Sequence, residues 1–71
     1  MMGIQTWKVI LAELLEDCMA LDVAPDKVYH LLVSEIMRAW VDDRLTDDDM
    51  RGLTDYARAI CSIARDGGMI P

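Results

Sequence analysis

Apolar residues recur at helical spacing in three segments of the chain, and two short breaks separate these segments. In the first segment, residues 4–21, the apolar positions are alternately three and four residues apart. They are Ile4, Trp7, Leu11, Leu14, Cys18 and Leu21. Such a narrow stripe, with charged residues on the opposite side, is typical of a helix that packs against another helix. The pattern therefore predicts a first helix over about 4–21.

A second helix is predicted over about 25–43, after a break at residues 22–25. Proline is favoured in the first turn of a helix and disfavours helical conformation in the preceding residue, so the helix should begin at Pro25. Asp22 is a candidate N-cap for it. The apolar positions cover nearly half of the helix surface, which favours contact with both neighbouring helices or with another chain. They are Val28, Tyr29, Leu32, Val33, Ile36, Met37, Trp40 and Val41.

The third helix has the clearest start signal in the sequence. Thr46 is the expected N-cap, and Asp49 stands three residues later, where a capping box carries an acidic residue. Asp47–Asp49 lie in the first turn, where the helix dipole favours negative charge. Leu45 and Met50 flank the cap as a hydrophobic staple.

This third helix should run over about 47–66, with apolar positions again three and four residues apart. They are Met50, Leu53, Ala57, Ile60 and Ala64. Gly67 and Gly68 end the helix, because glycine adopts the left-handed conformation found at helix C-termini, and 67–71 form a tail. No alternating run of β-branched residues predicts a strand. Short connections favour antiparallel neighbours, so we predict one all-α domain over 1–71, a three-helix antiparallel (up-down-up) bundle.

Composition limits the class of protein. The chain has 71 residues, a formal net charge of −6, 54% apolar residues and 28% charged residues. The apolar content is too high for a disordered acidic tail. The acidic balance argues against binding nucleic acid mainly through charge, so nucleic acid is not the expected partner.

Cysteine usage and the N-terminus predict the compartment. Cys18 and Cys61 lie far apart at apolar helical positions, as expected for reduced thiols in the cytoplasm. The N-terminus lacks the basic region of a signal peptide, and the apolar run after Lys8 ends at Glu13. We therefore expect a cytoplasmic protein that does not bind a membrane.

Few residue patterns in the sequence indicate a metal, phosphate or catalytic site. Asp47, Asp49 and Gly52 begin to match a calcium loop, but Arg51 and Arg58 stand where oxygen ligands belong. The single histidine, His30, and two distant cysteines lack the short spacings of a zinc site. No glycine-rich phosphate loop is present. We expect no metal, no cofactor, no catalytic residues and no enzyme activity.

Arginines recur every seven residues in the C-terminal half. They are Arg44, Arg51, Arg58 and Arg65. Such a stripe could bind phosphate or an acidic partner. Asp47, Asp48 and Asp55 stand three or four residues from Arg51 or Arg58, which is the spacing of surface ion pairs on a helix. We interpret the stripe as a solvated, charge-paired face.

Residues 18–32, CMALDVAPDKVYHLL, resemble a helix-turn-helix DNA-binding motif. The positions that follow the motif are Cys18, Asp22, Val23, Ala24 and Val28, with Asp22 in place of the turn glycine. The resemblance implies a transcriptional regulator that binds DNA as a dimer. The implied recognition helix has only Lys27 as a reliable cation, whereas phosphate contacts need several. A DNA-binding regulator is the alternative to a protein-binding function.

Three short helices cannot bury all of the apolar side chains among themselves. The surplus consists of Val9, Met19, Leu31, Met37, Trp40 and Val41. Large exposed apolar patches are rare on soluble monomers, so we predict a homodimer.

The favoured function is a small, acidic, non-enzymatic protein–protein interaction module, such as an inhibitor or adaptor that blocks a partner protein. Small size and the lack of catalytic parts are typical of such proteins from phage or mobile elements. An acidic segment can occupy a basic surface of the partner. The candidate contact residues are Met37, Trp40, Val41, Asp42, Asp43, Asp47, Asp48 and Asp49.

Overall fold

The computed structural model describes residues 3–67, which form three α-helices and no strand. Helix α1 spans Ile4–Ala20, α2 spans Pro25–Val41 and α3 spans Asp47–Arg65. The all-α class and the three predicted helices are confirmed, and each helix ends one or two residues before its predicted end. Every pair of helices is in contact, and α2 and α3 share the most extensive interface. The predicted tail beyond Gly67 lies outside the described residues.

One hydrophobic core joins the three helices. Its buried side chains are Trp7, Leu11, Leu15, Cys18, Val28, Leu32, Ile36, Ala39, Leu45, Leu53, Ala57 and Ile60. On α1 the buried stripe includes Leu15, while Ile4 and Leu14 are only partly buried. Leu21, expected in the stripe, is 78% exposed because α1 has ended at Ala20 and the chain turns there.

Asp22 ends α1 and does not cap α2, so the N-cap prediction for this residue was wrong. The N-cap of α2 is Ala24, which makes no side-chain hydrogen bond. Asp22 has a φ of 62°, and its N–H donates to the carbonyl of Met19 at 3.0 Å. The N–H of Val23 donates to the carbonyl of Cys18, also at 3.0 Å. This pair of bonds is the Schellman motif, which satisfies the last carbonyls of a helix.

The same motif ends α2. Asp43 has a φ of 63°, and its N–H donates to the carbonyl of Trp40 at 3.1 Å. The N–H of Arg44 donates to the carbonyl of Ala39 at 2.9 Å. The backbone therefore turns sharply between α2 and α3, and Asp43 has a structural role in that turn.

The predicted start of α3 is confirmed. The Oγ1 of Thr46 accepts a hydrogen bond from the N–H of Asp49 at 3.1 Å. Leu45 is buried, and Met50 is partly buried against the same core, as a hydrophobic staple requires. Local sequence is sufficient to fix this helix start because every group involved lies within six residues.

Cations cover two aromatic side chains at the edge of the core. The guanidinium of Arg44 lies 5.7 Å from the ring centroid of Trp7, and the Nζ of Lys8 lies 5.4 Å from that of Tyr56. Contacts of this kind contribute about 0.5–1 kcal/mol at exposed sites. Within the described range, no helix combines the length and apolar character needed to cross a membrane.

Candidate interaction surface

Trp40 joins the two predicted contact regions into one surface. Its Nε1 donates a hydrogen bond to the Oδ1 of Asp47 at 2.7 Å, although the two residues lie on different helices. Trp40 is 39% exposed, so part of its side chain remains available to a partner. We use the name Trp40 corner for this surface, which comprises Met37, Trp40, Val41, Asp42, Asp43, Asp47 and Asp48.

The other members of the Trp40 corner differ in exposure. Val41 is 76% exposed, whereas Met37 is partly buried. The carboxylate of Asp42 lies 3.8 Å from the guanidinium of Arg44, an exposed ion pair of small energetic value. Asp49, also predicted as a contact residue, is partly buried at the helix start. The structure therefore brings the apolar and acidic groups together at one end of α2 and α3.

Other surplus apolar residues lie on different helices from the Trp40 corner or on another side of α2. Val9 is 57% exposed on α1 and borders a groove with Lys8 and Glu13. Met19 is 51% exposed near the end of α1, and Leu31 is 46% exposed on α2. The expected surplus is therefore present but spread over the molecule, with Trp40 and Val41 adjacent in sequence.

A groove that the sequence analysis did not predict lies between the first half of α2 and the second half of α3. Its volume is 490 Å³. Its lining includes the cationic side chains of Arg58 and Arg65, together with His30, Tyr29, Cys61 and Asp26. We call it the Arg58 groove. The seven-residue spacing of the arginines could have indicated its cationic wall on α3. The groove itself exists only because α2 packs beside α3.

Ion pairing of the arginine stripe is confirmed only in part. The guanidinium of Arg58 lies 3.7 Å from the carboxylate of Asp55, as the spacing predicts. The expected pairs between Arg51 and the aspartates of the first turn are not among the ion pairs of the described residues, and Asp47 instead accepts from Trp40. The arginines of α3 are exposed, and Arg58 and Arg65 border the Arg58 groove.

The environment of the Cys61 thiol in the Arg58 groove does not activate it as a nucleophile. Burial raises the pKa of the Cys61 thiol, the neighbouring Cys18 raises it further, and Arg65 lowers it. Near neutral pH this thiol is protonated, and a thiol is a weak nucleophile. Ser34 Oγ donates to the backbone carbonyl of His30 at 2.8 Å and so is not paired with the imidazole. Residues 3–67 contain no cluster of three or more histidine, cysteine or acidic side chains able to hold a metal.

Comparison of the chain with known protein families, with curated proteins and with solved structures gives no significant match. The function is therefore argued from the geometry of the Trp40 corner and the Arg58 groove.

Proposed function

We propose that this protein is a non-enzymatic protein–protein interaction module whose main contact surface is the Trp40 corner. The hydrogen bond between Trp40 and Asp47 carries the proposal, because it fixes a partly exposed indole against a carboxylate. Tryptophan is enriched among the residues that dominate binding energy at protein interfaces. A side chain already held in one orientation loses less entropy when a partner binds.

The partner surface that best complements the Trp40 corner is basic with an apolar depression. Asp42, Asp43 and Asp48 are exposed around the indole, and they outnumber the nearby cation, Arg44. An acidic surface of this kind attracts a basic site electrostatically and can block it. This supports the function of an inhibitor or adaptor, of the size typical of phage or mobile-element proteins.

We also propose the antiparallel arrangement of the helices. The connections between helices contain four residues, 21–24, and five residues, 42–46. Connections this short favour antiparallel neighbours. The contact of Trp40 with Asp47, together with the groove shared by Tyr29 and Cys61, supports this arrangement for α2 and α3.

A homodimer is the proposed assembly. Exposed apolar side chains are present on both α1 and α2, including Met19, Leu31 and Val41. Burying a side chain of this size contributes about 1.5–3 kcal/mol, which favours association. Sedimentation equilibrium should give a mass near twice 8.0 kDa at about 100 μM. A mass of 8.0 kDa would contradict the homodimer.

Affinity capture from the source cell tests the interaction function. Wild-type protein should retain a defined protein partner, and Trp40→Ala should reduce its affinity at least about tenfold, the loss of a typical hot-spot contact. Replacing Asp47, Asp48 and Asp49 together by asparagine should weaken capture and reduce its salt dependence. Val9→Ala is the matched apolar control on α1 and should retain the partner. If both variants still retain the partner, the Trp40 corner is not the contact surface.

The alternative is a DNA-binding regulator. The four-residue connection between α1 and α2 has the length found in helix-turn-helix motifs. Lys27 and Arg38 are exposed cations on α2, but Arg38 is paired with Glu35 at 3.4 Å and Asp26 adds negative charge. A gel shift with genomic fragments at moderate salt distinguishes the two functions, because only the alternative predicts a retarded band.

A further inference from the structure

The outer side of α3 carries alternating charges. Asp48, Arg51, Asp55 and Arg58 are spaced three, four and three residues apart, so they line one side of the helix. All four side chains are exposed. At 1.5 Å per residue, the row is about 15 Å long.

The row of charges is complementary to the same row running in the opposite direction. Read from residue 48 to residue 58 the signs are negative, positive, negative and positive, and read backwards each sign is opposite. An antiparallel copy centred on the midpoint between Arg51 and Asp55 would therefore place Asp48 opposite Arg58, and Arg51 opposite Asp55. A parallel copy would place like charges opposite each other, which costs several kcal/mol at an interface.

The surface beside the middle of this row is partly apolar. A groove of 320 Å³ is lined by Met37 and Met50, together with Thr54, Arg51 and Asp55. Methionine side chains are flexible and adapt their shape to a contacting surface. The groove therefore adds some apolar surface on the α2 side of the row, next to the charge pairs of Arg51 and Asp55.

The ends of the face are complementary as well. Asp48, at the start of α3, is the member of the Trp40 corner that belongs to the row, and the Arg58 groove lies towards the end of α3. An antiparallel copy would bring Asp48 of each chain beside the cationic groove of the other. Asp26 is the carboxylate in that groove, and it faces the two arginines Arg58 and Arg65.

We propose that a second copy of this chain is the partner of the α3 outer face, with the two α3 helices antiparallel across a two-fold axis that lies outside the charge row, level with its midpoint between Arg51 and Asp55. The inference rests on the proposed homodimer and assigns its interface to α3, whereas exposed Met19 on α1 and Leu31 on α2 lie outside this face. A standard interface buries about 800 Å² on each partner, roughly a sixth of the 4829 Å² surface of this chain.

A charge-swap experiment in the full-length chain tests this arrangement. One variant carries Asp48→Arg and Asp55→Arg, which makes the row entirely basic, and the other carries Arg51→Glu and Arg58→Glu, which makes it entirely acidic. Each variant alone should dimerise at least about tenfold more weakly than wild type, because every opposed pair is then of like charge. An equimolar mixture should form a heterodimer with near wild-type affinity, because every pair is again of opposite charge.

Matched controls change the net charge by the same amount at other sites. Glu13→Arg with Glu16→Arg on α1 matches the basic variant, and Lys27→Glu with Arg38→Glu on α2 matches the acidic one. Both control variants should dimerise like wild type in sedimentation equilibrium. Loss of dimerisation in the controls as well would indicate a net-charge effect and overturn the proposed face.

The outcomes separate the two proposals. If wild type is a dimer but the charge-swap variants also dimerise alone, or their mixture stays monomeric, the α3 pairing is wrong and the homodimer stands. If wild type is monomeric, the homodimer itself is wrong and the α3 pairing fails with it. If circular dichroism indicates that a double variant is unfolded, the single variants Asp55→Arg and Arg51→Glu repeat the test. Each single variant changes two of the four charge pairs across the interface.

Discussion

Asp22 and Asp43 occupy equivalent positions, each two residues beyond the last helical residue of α1 or α2. Their φ angles are 62° and 63°, and each lies in a Schellman motif that ends its helix. The left-handed region costs L-residues about 1–2 kcal/mol, although aspartate tolerates it better than most. The chain therefore makes its two interhelical turns with strained residues of the same type.

Replacing either aspartate by glycine should stabilise the fold. Glycine removes the left-handed strain, and its greater freedom in the unfolded chain offsets part of the gain, so we expect a net increase of about 0.5–1 kcal/mol. Urea denaturation of Asp22→Gly and Asp43→Gly measures the change. Asp22→Ala and Asp43→Ala keep the strain and should lower the free energy of unfolding. An equal effect of glycine and alanine would indicate that φ is not the cause.

The bond between Trp40 and Asp47 should contribute about 1 kcal/mol to stability. Trp40→Phe removes the donor and Asp47→Ala removes the acceptor, and each should lower the free energy of unfolding by about that amount. The double variant should lose little more than either single variant, because both changes break one interaction. Strict additivity in this double-mutant cycle would show that the two side chains do not interact in solution.

The cap of α3 should depend on the Thr46 hydroxyl. Thr46→Ala leaves the N–H of Asp49 without its acceptor and should cost about 1 kcal/mol, whereas Thr46→Ser keeps the oxygen and should cost much less. Thermal unfolding followed by circular dichroism compares the two variants. If serine and alanine were equally destabilising, the methyl group and not the hydrogen bond would account for the effect.

Alkylation of Cys61 should require a higher pH than alkylation of an unperturbed thiol. Burial and Cys18 raise the pKa of Cys61, so less thiolate is present at pH 8. Arg65→Gln removes the charge that lowers this pKa and should shift the midpoint of the pH–rate profile upward. Arg51→Gln is the control, since Arg51 is not among the groups that act on the thiol. The iodoacetamide rate gives each midpoint, measured in a Cys18→Ala background so that only Cys61 reacts; burial is then the remaining cause that raises the pKa of Cys61.

The same pKa shift predicts how stability depends on pH. A thiol whose pKa is higher in the folded state than in the unfolded state favours folding while it is protonated in both. That contribution is lost as the pH rises above the pKa of the unfolded thiol. From about pH 8.5 upward, the free energy of unfolding of wild type should therefore fall relative to that of Cys61→Ala. A constant difference would contradict the shift.

Local signals predicted the secondary structure well. The proline at the start of α2 and the Thr46 cap depend on groups within a few residues, and their effects do not require the rest of the fold. Asp22 was assigned to the wrong helix because an aspartate before a proline also fits an N-cap. The distinction lies in its φ angle, which depends on how α1 ends and not on residue type alone.

The candidate site was predicted as a list of residues but not as an arrangement. The sequence identified Trp40 and Asp47 separately, seven positions apart on two helices, and the turn at Asp43 brings them within hydrogen-bond distance. The Arg58 groove was not predicted, because its walls come from α2 and α3 and exist only when these helices pack.

The order of apolar, capping and charged residues by itself determined three helices, their limits and the alternating charges along α3. These properties depend on helical periodicity and on contacts within one or two turns. Only the tertiary structure decided which apolar side chains leave the solvent, since Leu21 and Trp40 share their helical pattern with buried residues yet lie where no neighbouring helix covers them fully. Burial depends on the distance and direction of the other helices, and a linear pattern contains neither.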